Sequence, residues 1–289
     1  AYRNRMPILA GPLVSLESSC SPDWLTVMEH DYETIRDIVY EHVERVVSRY
    51  RNVVTLWNVA SGLHTNAQLN LTLDQLMDLT RMSVMLVKKI QPNAKTLVEL
   101  THPFGEYYAV NQRSIPPFIY ADMVLQAGIP IDAFGVRMLM GQSQSGRYTR
   151  DLMQISTLLD RFSVLGKPLH VTGAGVPSEP IEVMAEPSEP TNGQGVGGPT
   201  TPPDANCGHW RKPWSQLVQT HWLEAFYSIA LSKPFIDSIA WVRLTDGDNG
   251  PLPHSGLAMS NLKAKGAFHR LIAVRKNLHA ATSAARNPG

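Results

Sequence analysis

The chain has 289 residues, 43% of them apolar, which is enough to bury one sizeable core and suits a single barrel-class domain over residues 1–289 better than two compact ones. Its 26 basic and 25 acidic side chains leave a formal charge of +1, too weak a field to gather nucleic acid or an anionic membrane, so a neutral small or polymeric ligand is expected. No apolar run approaches the roughly 20 residues of a membrane span, and Cys20 and Cys207 form neither a C-x-x-C zinc pair nor a disulfide framework.

Short apolar runs alternate with segments of helical period, the pattern of βα units around a parallel sheet. The first expected strand is Ile8 to Leu16, followed by a helix in which Ile35, Ile38, Val39, Val43, Val46 and Val47 share one face. A strand at Val53 to Ala60 leads into a second helix with Leu73, Leu76, Met77, Thr80, Val84 and Val87 facing the sheet. Then come a strand at Thr96 to Leu100, a helix between Pro116-Pro117 and Gly128, and a strand at Ala133 to Met138. Leu152, Ile155, Leu159 and Phe162 mark the next helix, with Gly166 as its stop, before a strand at Leu169 to Thr172. Val218, Trp222, Ala225 and Ile229 define a further helix, and Ser238 to Leu244 the last strand. These runs are too short and too continuously apolar for amphipathic helices, and the helical stripes are packing surfaces rather than cofactor boxes.

One segment breaks the rhythm. Pro177 to Pro213 holds eight prolines and five glycines, with Glu179, Glu182, Glu186 and Glu189 among them. A long loop directly after a strand lies on the face where barrels build their sites, and it is either functional or a surface insertion. Asn70-Leu71-Thr72 is a formal glycosylation sequon, a triplet frequent by chance. The residues leave the localisation open.

Several stretches in order resemble glycoside hydrolase family 10, the retaining endo-β-1,4-xylanases. They are Ser21-Pro22-Asp23-Trp24-Leu25, Tyr32 to Ile35, Glu41 to Tyr50, and Val53 to His64 with its Trp57-Asn58-Val59-Ala60-Ser61-Gly62 run. Ile131 to Val136, Gly166 to Thr172, and Ile239-Ala240-Trp241 with Asp246 continue the similarity, which spans about residues 8 to 275. The resemblance implies a TIM-type (β/α)8 barrel of the α/β class, with this chain covering the equivalent of strands 3 to 8. Residues 177–213 then follow the seventh strand. Because the first strand found matches the family's third, the polypeptide is expected to be N-terminally incomplete, or a further segment or chain to supply strands 1 and 2.

The departures fall at the chemistry. Retaining hydrolysis needs two carboxyl groups about 5 Å apart, one the nucleophile and one the acid/base. By the resemblance the acid/base position is Gly62, behind Ser61, and the nucleophile position is Gly173, behind Thr172. Glycine can neither donate a proton nor attack carbon. Where the family has sugar-contacting groups, this chain has Ser15-Leu16 and Arg137-Met138-Leu139. The expectation is a family-10-like protein that acts on or binds β-1,4-linked polysaccharide of the xylan type, without the standard hydrolysis.

Polar side chains at strand ends remain as candidates: Glu17, Asn58, His64, Glu99, His102, Arg137, Asp246 and Asp248. Glu99 and Asp246 stand out as carboxylates in apolar strands, either relocated catalysts or partners of a cation such as Arg137 or Arg243. Glu17, Asn58, His102 and Arg137, with Trp210, Trp214 and Trp241 as stacking platforms or core, are the candidate sugar contacts. His64, Glu99 and His102 lack any metal-ligand spacing, so no metal and no cofactor is expected. An active hydrolase using Glu99 and Asp246, or a scaffold that presents its long loop to a protein, are the alternatives.

Overall fold

The computed structural model describes residues 6–17, 20–142, 147–181, 210–247 and 252–286. Seven strands and six α-helices alternate among them. The strands are β1 (Leu9–Ala10), β2 (Val14–Ser15), β3 (Leu56–Ser61), β4 (Lys95–Leu100), β5 (Ala133–Leu139), β6 (Leu169–Gly175) and β7 (Ile236–Trp241). The helices are α1 (Tyr32–Tyr50), α2 (Leu73–Ile90), α3 (Pro117–Gln126), α4 (Leu152–Ser163), α5 (Gln216–Leu231) and α6 (Gly266–Arg286). The sheet order is β1-β3-β4-β5-β6-β7, with β2 also paired to β3. The pairings from β1 to β5 are parallel. This is the partial (β/α)8 barrel expected, with six strand positions in barrel order.

Two compact units divide the chain. The first comprises Ala1–Met138, Ser156–Ala174 and Ala230–Ala240, and holds nearly all of the sheet. Its core holds strand residues Trp57, Val59, Leu97, Phe134, Val136 and Val171 and helix residues Ile35, Val43, Val47, Leu79 and Leu159, all essentially inaccessible. Helix α1 starts where Asp31 accepts the Thr34 N–H, and α2 where Thr72 and Gln75 cap each other's backbone N–H groups. The second unit comprises Leu139–Ile155, Gly175–Ile229 and Trp241–Gly289. There Trp222 stacks on Phe226 at 4.9 Å and meets Trp241 edge-on at 6.2 Å.

Three expectations need correction. The first strand is two short pieces, because Pro12 has no N–H to donate and Gly11 adopts φ 127. A Cβ on Gly11 would lie 2.3 Å from the Asn58 carbonyl, so the chain passes β3 too closely for any side chain. The last strand ends at Trp241, and Leu244 beyond it is 66% exposed. Leu73 opens α2 just after its cap and is 47% exposed rather than packed on the sheet. No helix among the described residues is long and apolar enough to cross a membrane.

Candidate functional site

In the first unit, neighbouring strands bring four polar side chains together near their C-terminal ends. Register places Ser61 of β3 opposite Glu99 of β4, and Glu99 opposite Gly135 of β5. Arg137 lies two residues beyond Gly135 on the same face, and Thr172 comes from β6. A side chain at position 135 would press to 2.9 Å from the Thr172 methyl, so Gly135 leaves Thr172 its place. Glu17, just past β2, closes the group.

The Arg137 guanidinium is the hub. Its Nη2 donates to Glu99 Oε2 at 2.6 Å and to Ser61 Oγ at 3.2 Å, and its Nε reaches Glu99 Oε1 at 3.4 Å. Its Nη1 donates to Glu17 Oε2 at 2.8 Å. Ser61 and Thr172 add hydroxyl hydrogen bonds to the two Glu99 oxygens. Both Glu99 oxygens are therefore occupied, and the residue is 2% exposed.

Burial by itself would raise the Glu99 pKa, but the Arg137 charge and the Ser61, Thr172 and Arg137 hydrogen bonds outweigh it and hold the carboxyl below its ordinary value. Arg137 loses some basicity to burial and regains more from Glu99 and Glu17, so it stays charged. Four donors thus surround the Glu99 carboxylate in this arrangement.

The two glycines at the expected catalytic positions border this cluster. Gly62, at φ 66, follows β3, and a Cβ there would lie 2.9 Å from Thr101 Oγ1 and 3.4 Å from both Cγ and Oε1 of Glu17. Glu17 thus stands beside the position where an acid/base side chain would emerge. Gly173 is buried in β6 next to Thr172, whose hydroxyl is bound to Glu99. Neither Glu17 Oε1 nor Thr101 Oγ1, both buried, has a hydrogen-bond partner among the described residues.

Asn58 is buried within β3, and its backbone carbonyl accepts the Leu13 N–H. His64 is fully buried, and because its Nε2 faces the Thr101 carbonyl at 2.9 Å that nitrogen carries the proton. Burial drives the His64 pKa down to about 4, so the ring is neutral. Tyr120 stacks on it at 5.4 Å. His102, at φ 45, meets Tyr107 edge-on. With His64 Nε2 on a carbonyl and Glu99 saturated, these three side chains are not poised as a metal centre. No group of three or more His, Cys, Asp or Glu side chains among the described residues is placed to hold a metal ion.

The remaining candidates belong to the second unit. Asp246 pairs with fully buried Lys265 at 2.6 Å and accepts the Gly256 N–H at 2.8 Å. Lys265 also donates to Ser178 Oγ at 2.8 Å and to the His254 carbonyl at 3.3 Å. Glu99 and Glu17 share one cation within the first unit, and Asp246 has its own within the second. Trp210 and Trp214 are 7% and 5% exposed, and Arg211 covers the Trp210 ring at 4.5 Å. Trp241 gives its indole N–H to the Ser255 carbonyl at 2.7 Å. Stacking on a sugar would require the Trp210 and Trp214 rings to be uncovered. Asp248, Cys207, Glu182, Glu186, Glu189 and most of the Pro/Gly-rich loop lie outside the described residues.

The sequence points to Glu17, Glu99 and Arg137 one at a time but not to their union, nor to Thr101 and Lys265. The alternation of each strand puts Ser61, Glu99 and Arg137 on a common face, which was the available signal.

A parallel sheet of this order with alternating helices is a partial (β/α) barrel, with a polar cluster at its strand ends. No family model matches the chain, and no curated protein sequence matches it. Solved structures do share its fold. Native xylanase 10B from Thermotoga maritima superposes with a TM-score of 0.61 over 95% of this chain and 76% of its own, at 16% identity. The family-10 glycoside hydrolase structure from Paenibacillus barcinonensis gives 0.63 over 95% and 78%, at 19% identity. A thermostable mutant of a xylanase (Xyn10A) from Cellvibrio japonicus gives 0.62 over 94% and 79%, at 14% identity. The fold is that of the family-10 xylanases.

Proposed function

We propose that this barrel binds a β-1,4-linked polysaccharide of the xylan type and does not cleave it by the standard retaining mechanism. The observation that carries the proposal is the state of Glu99. It is a carboxylate at the strand ends bonded to Thr172, the residue before the expected nucleophile position, and Arg137, Ser61 and Thr172 occupy both of its oxygens. Double displacement needs a carboxylate open to the anomeric carbon and a second that cycles its proton. Gly62 and Gly173 supply neither, and Glu17 is held in an ion pair with Arg137. The shared fold of known xylanases supports the ligand class.

The experiment is retention of the purified chain on a xylan affinity gel, with reducing ends measured in parallel over a day. Retention without release is the expected outcome. Release at rates typical of enzymes, lost on Glu99→Gln or Asp246→Asn, would establish relocated catalysis instead. Absence of retention would remove the polysaccharide from the proposal.

A further inference from the structure

We infer that the open side of the sheet is a docking surface for a βαβα segment of the same polypeptide, carried ahead of β1. Its two strands close the gap between β1 and β7, and the helix that leads into β1 fills a hollow between β2 and α1. The sheet is a path whose two ends are β1 and β7, and among the described residues these ends are not paired with each other. Strand β6 is buried along nearly all its length, whereas none of Ile236 to Ala240 in β7 is buried. A parallel strand is ordinarily covered on both faces. At the other end of the path β1 pairs with β3, and its Leu9 is 40% exposed. Beside β2 lies a hollow of about 260 Å³, walled by Leu13, Val14, Leu16, Leu25, Ile38 and Val39. Ile38 and Val39 of α1 are half-buried apolar side chains facing it.

Topology selects the occupant. Six strand positions leave two of the eight that closure of such a barrel needs. The strands from β3 to β7 follow one another in sequence and in space, each beside the last. The same order continued backwards puts the preceding strand on the free edge of β1 and the one before it beside β7. Parallel neighbours require a crossover, usually a helix, so each added strand brings a helix with it. The helix entering β1 belongs in the outer ring next to α1, and an apolar stripe on it would cover the hollow. A second copy of the chain fits less well. Two copies meeting at their β1 edges across a two-fold axis would pair antiparallel and leave both β7 edges bare.

The test compares the 289-residue chain with the polypeptide read from the same gene with its upstream codons in frame. In the longer polypeptide, backbone amides of Leu9–Ala10 and Ile236 to Ala240 should slow in hydrogen exchange by roughly tenfold or more relative to those of β4. Ile38→Lys puts a charge into the hollow. It should lower the melting temperature of the longer polypeptide by several degrees more than that of the shorter chain, where the lysine can still reach water. An upstream frame that stops, or that encodes no pair of βα units, would overturn the inference. Unchanged relative exchange at these strands, or an equal effect of Ile38→Lys in both proteins, would do the same. A 289-residue chain that forms a dimer by light scattering, with β1 and β7 protected, would assign the edges to a second copy and refute the segment. None of these readouts involves xylan, so the polysaccharide proposal stands or falls separately.

Discussion

Replacing Arg137 with methionine keeps the length of the side chain and removes the one cation shared by Glu17 and Glu99. Glu99 would then be an ionised group at 2% exposure with only two hydroxyl donors. Breaking a buried pair in this way costs about 3–5 kcal/mol, mainly through the stranded charge. At about 2–4 °C per kcal/mol for a chain of this order, the melting temperature should drop by roughly 6–20 °C. The loss should depend on pH. In the wild type the lowered Glu99 pKa adds stability that is full above the unfolded value of about 4.3 and fades only as pH falls through the folded value. Without Arg137, burial dominates and raises the folded pKa above the unfolded one, so the variant loses stability as pH rises through it. Melting curves at pH 5 and pH 8 should therefore show a wider gap at pH 8, and Glu99→Gln added to Arg137→Met should recover much of the loss. A deficit under 2 °C, or a gap independent of pH, would refute the view that Arg137 compensates the buried Glu99 charge.

Restoring glutamate at both positions, Gly62→Glu with Gly173→Glu, should not produce a xylanase in a reducing-end assay. The new side chain at 62 meets Thr101 Oγ1 at 2.9 Å in a backbone conformation that disfavours it, and Arg137 would still pair with nearby acids. Lys265→Met should lower stability by about 3–5 kcal/mol in urea unfolding, since it strands Asp246 and takes a partner from Ser178. His64 should make stability fall between about pH 6.5 and 4, where the unfolded ring takes a proton that the buried ring refuses. The steeper part of that pH profile should vanish in His64→Phe relative to wild type.

The helices are legible because their signals are local. Gly166 as a stop after the α4 stripe, and the apolar rows of α1 and α2, need no distant partner to be recognised. The strands are legible as apolar runs, but their ends are set by pairing, which is why the Ile8 to Leu16 run breaks at Gly11-Pro12. The site is legible only in fragments. Glu99 and Arg137 are marked by their chemistry within apolar strands, yet 38 residues separate them, and only the parallel register makes them neighbours. Lys265 carries no signal of burial at all. It lies just ahead of α6 in a polar stretch, and only the folded chain shows Asp246, Ser178 and the His254 carbonyl closing around it.

The span of those contacts also bears on how the molecule comes apart. The bonds on Glu99 come from residues 38 and 73 positions away, and the Arg137 bond to Glu17 closes a separation of 120. The bonds to Thr172 and Glu17 span more than one βα unit, so the complete cluster is expected to close late in folding. Interactions absent from the transition state govern the rate of unfolding and leave refolding nearly untouched. The network around Glu99 is thus expected to act as a latch on the native state, lengthening its lifetime more than it hastens its formation.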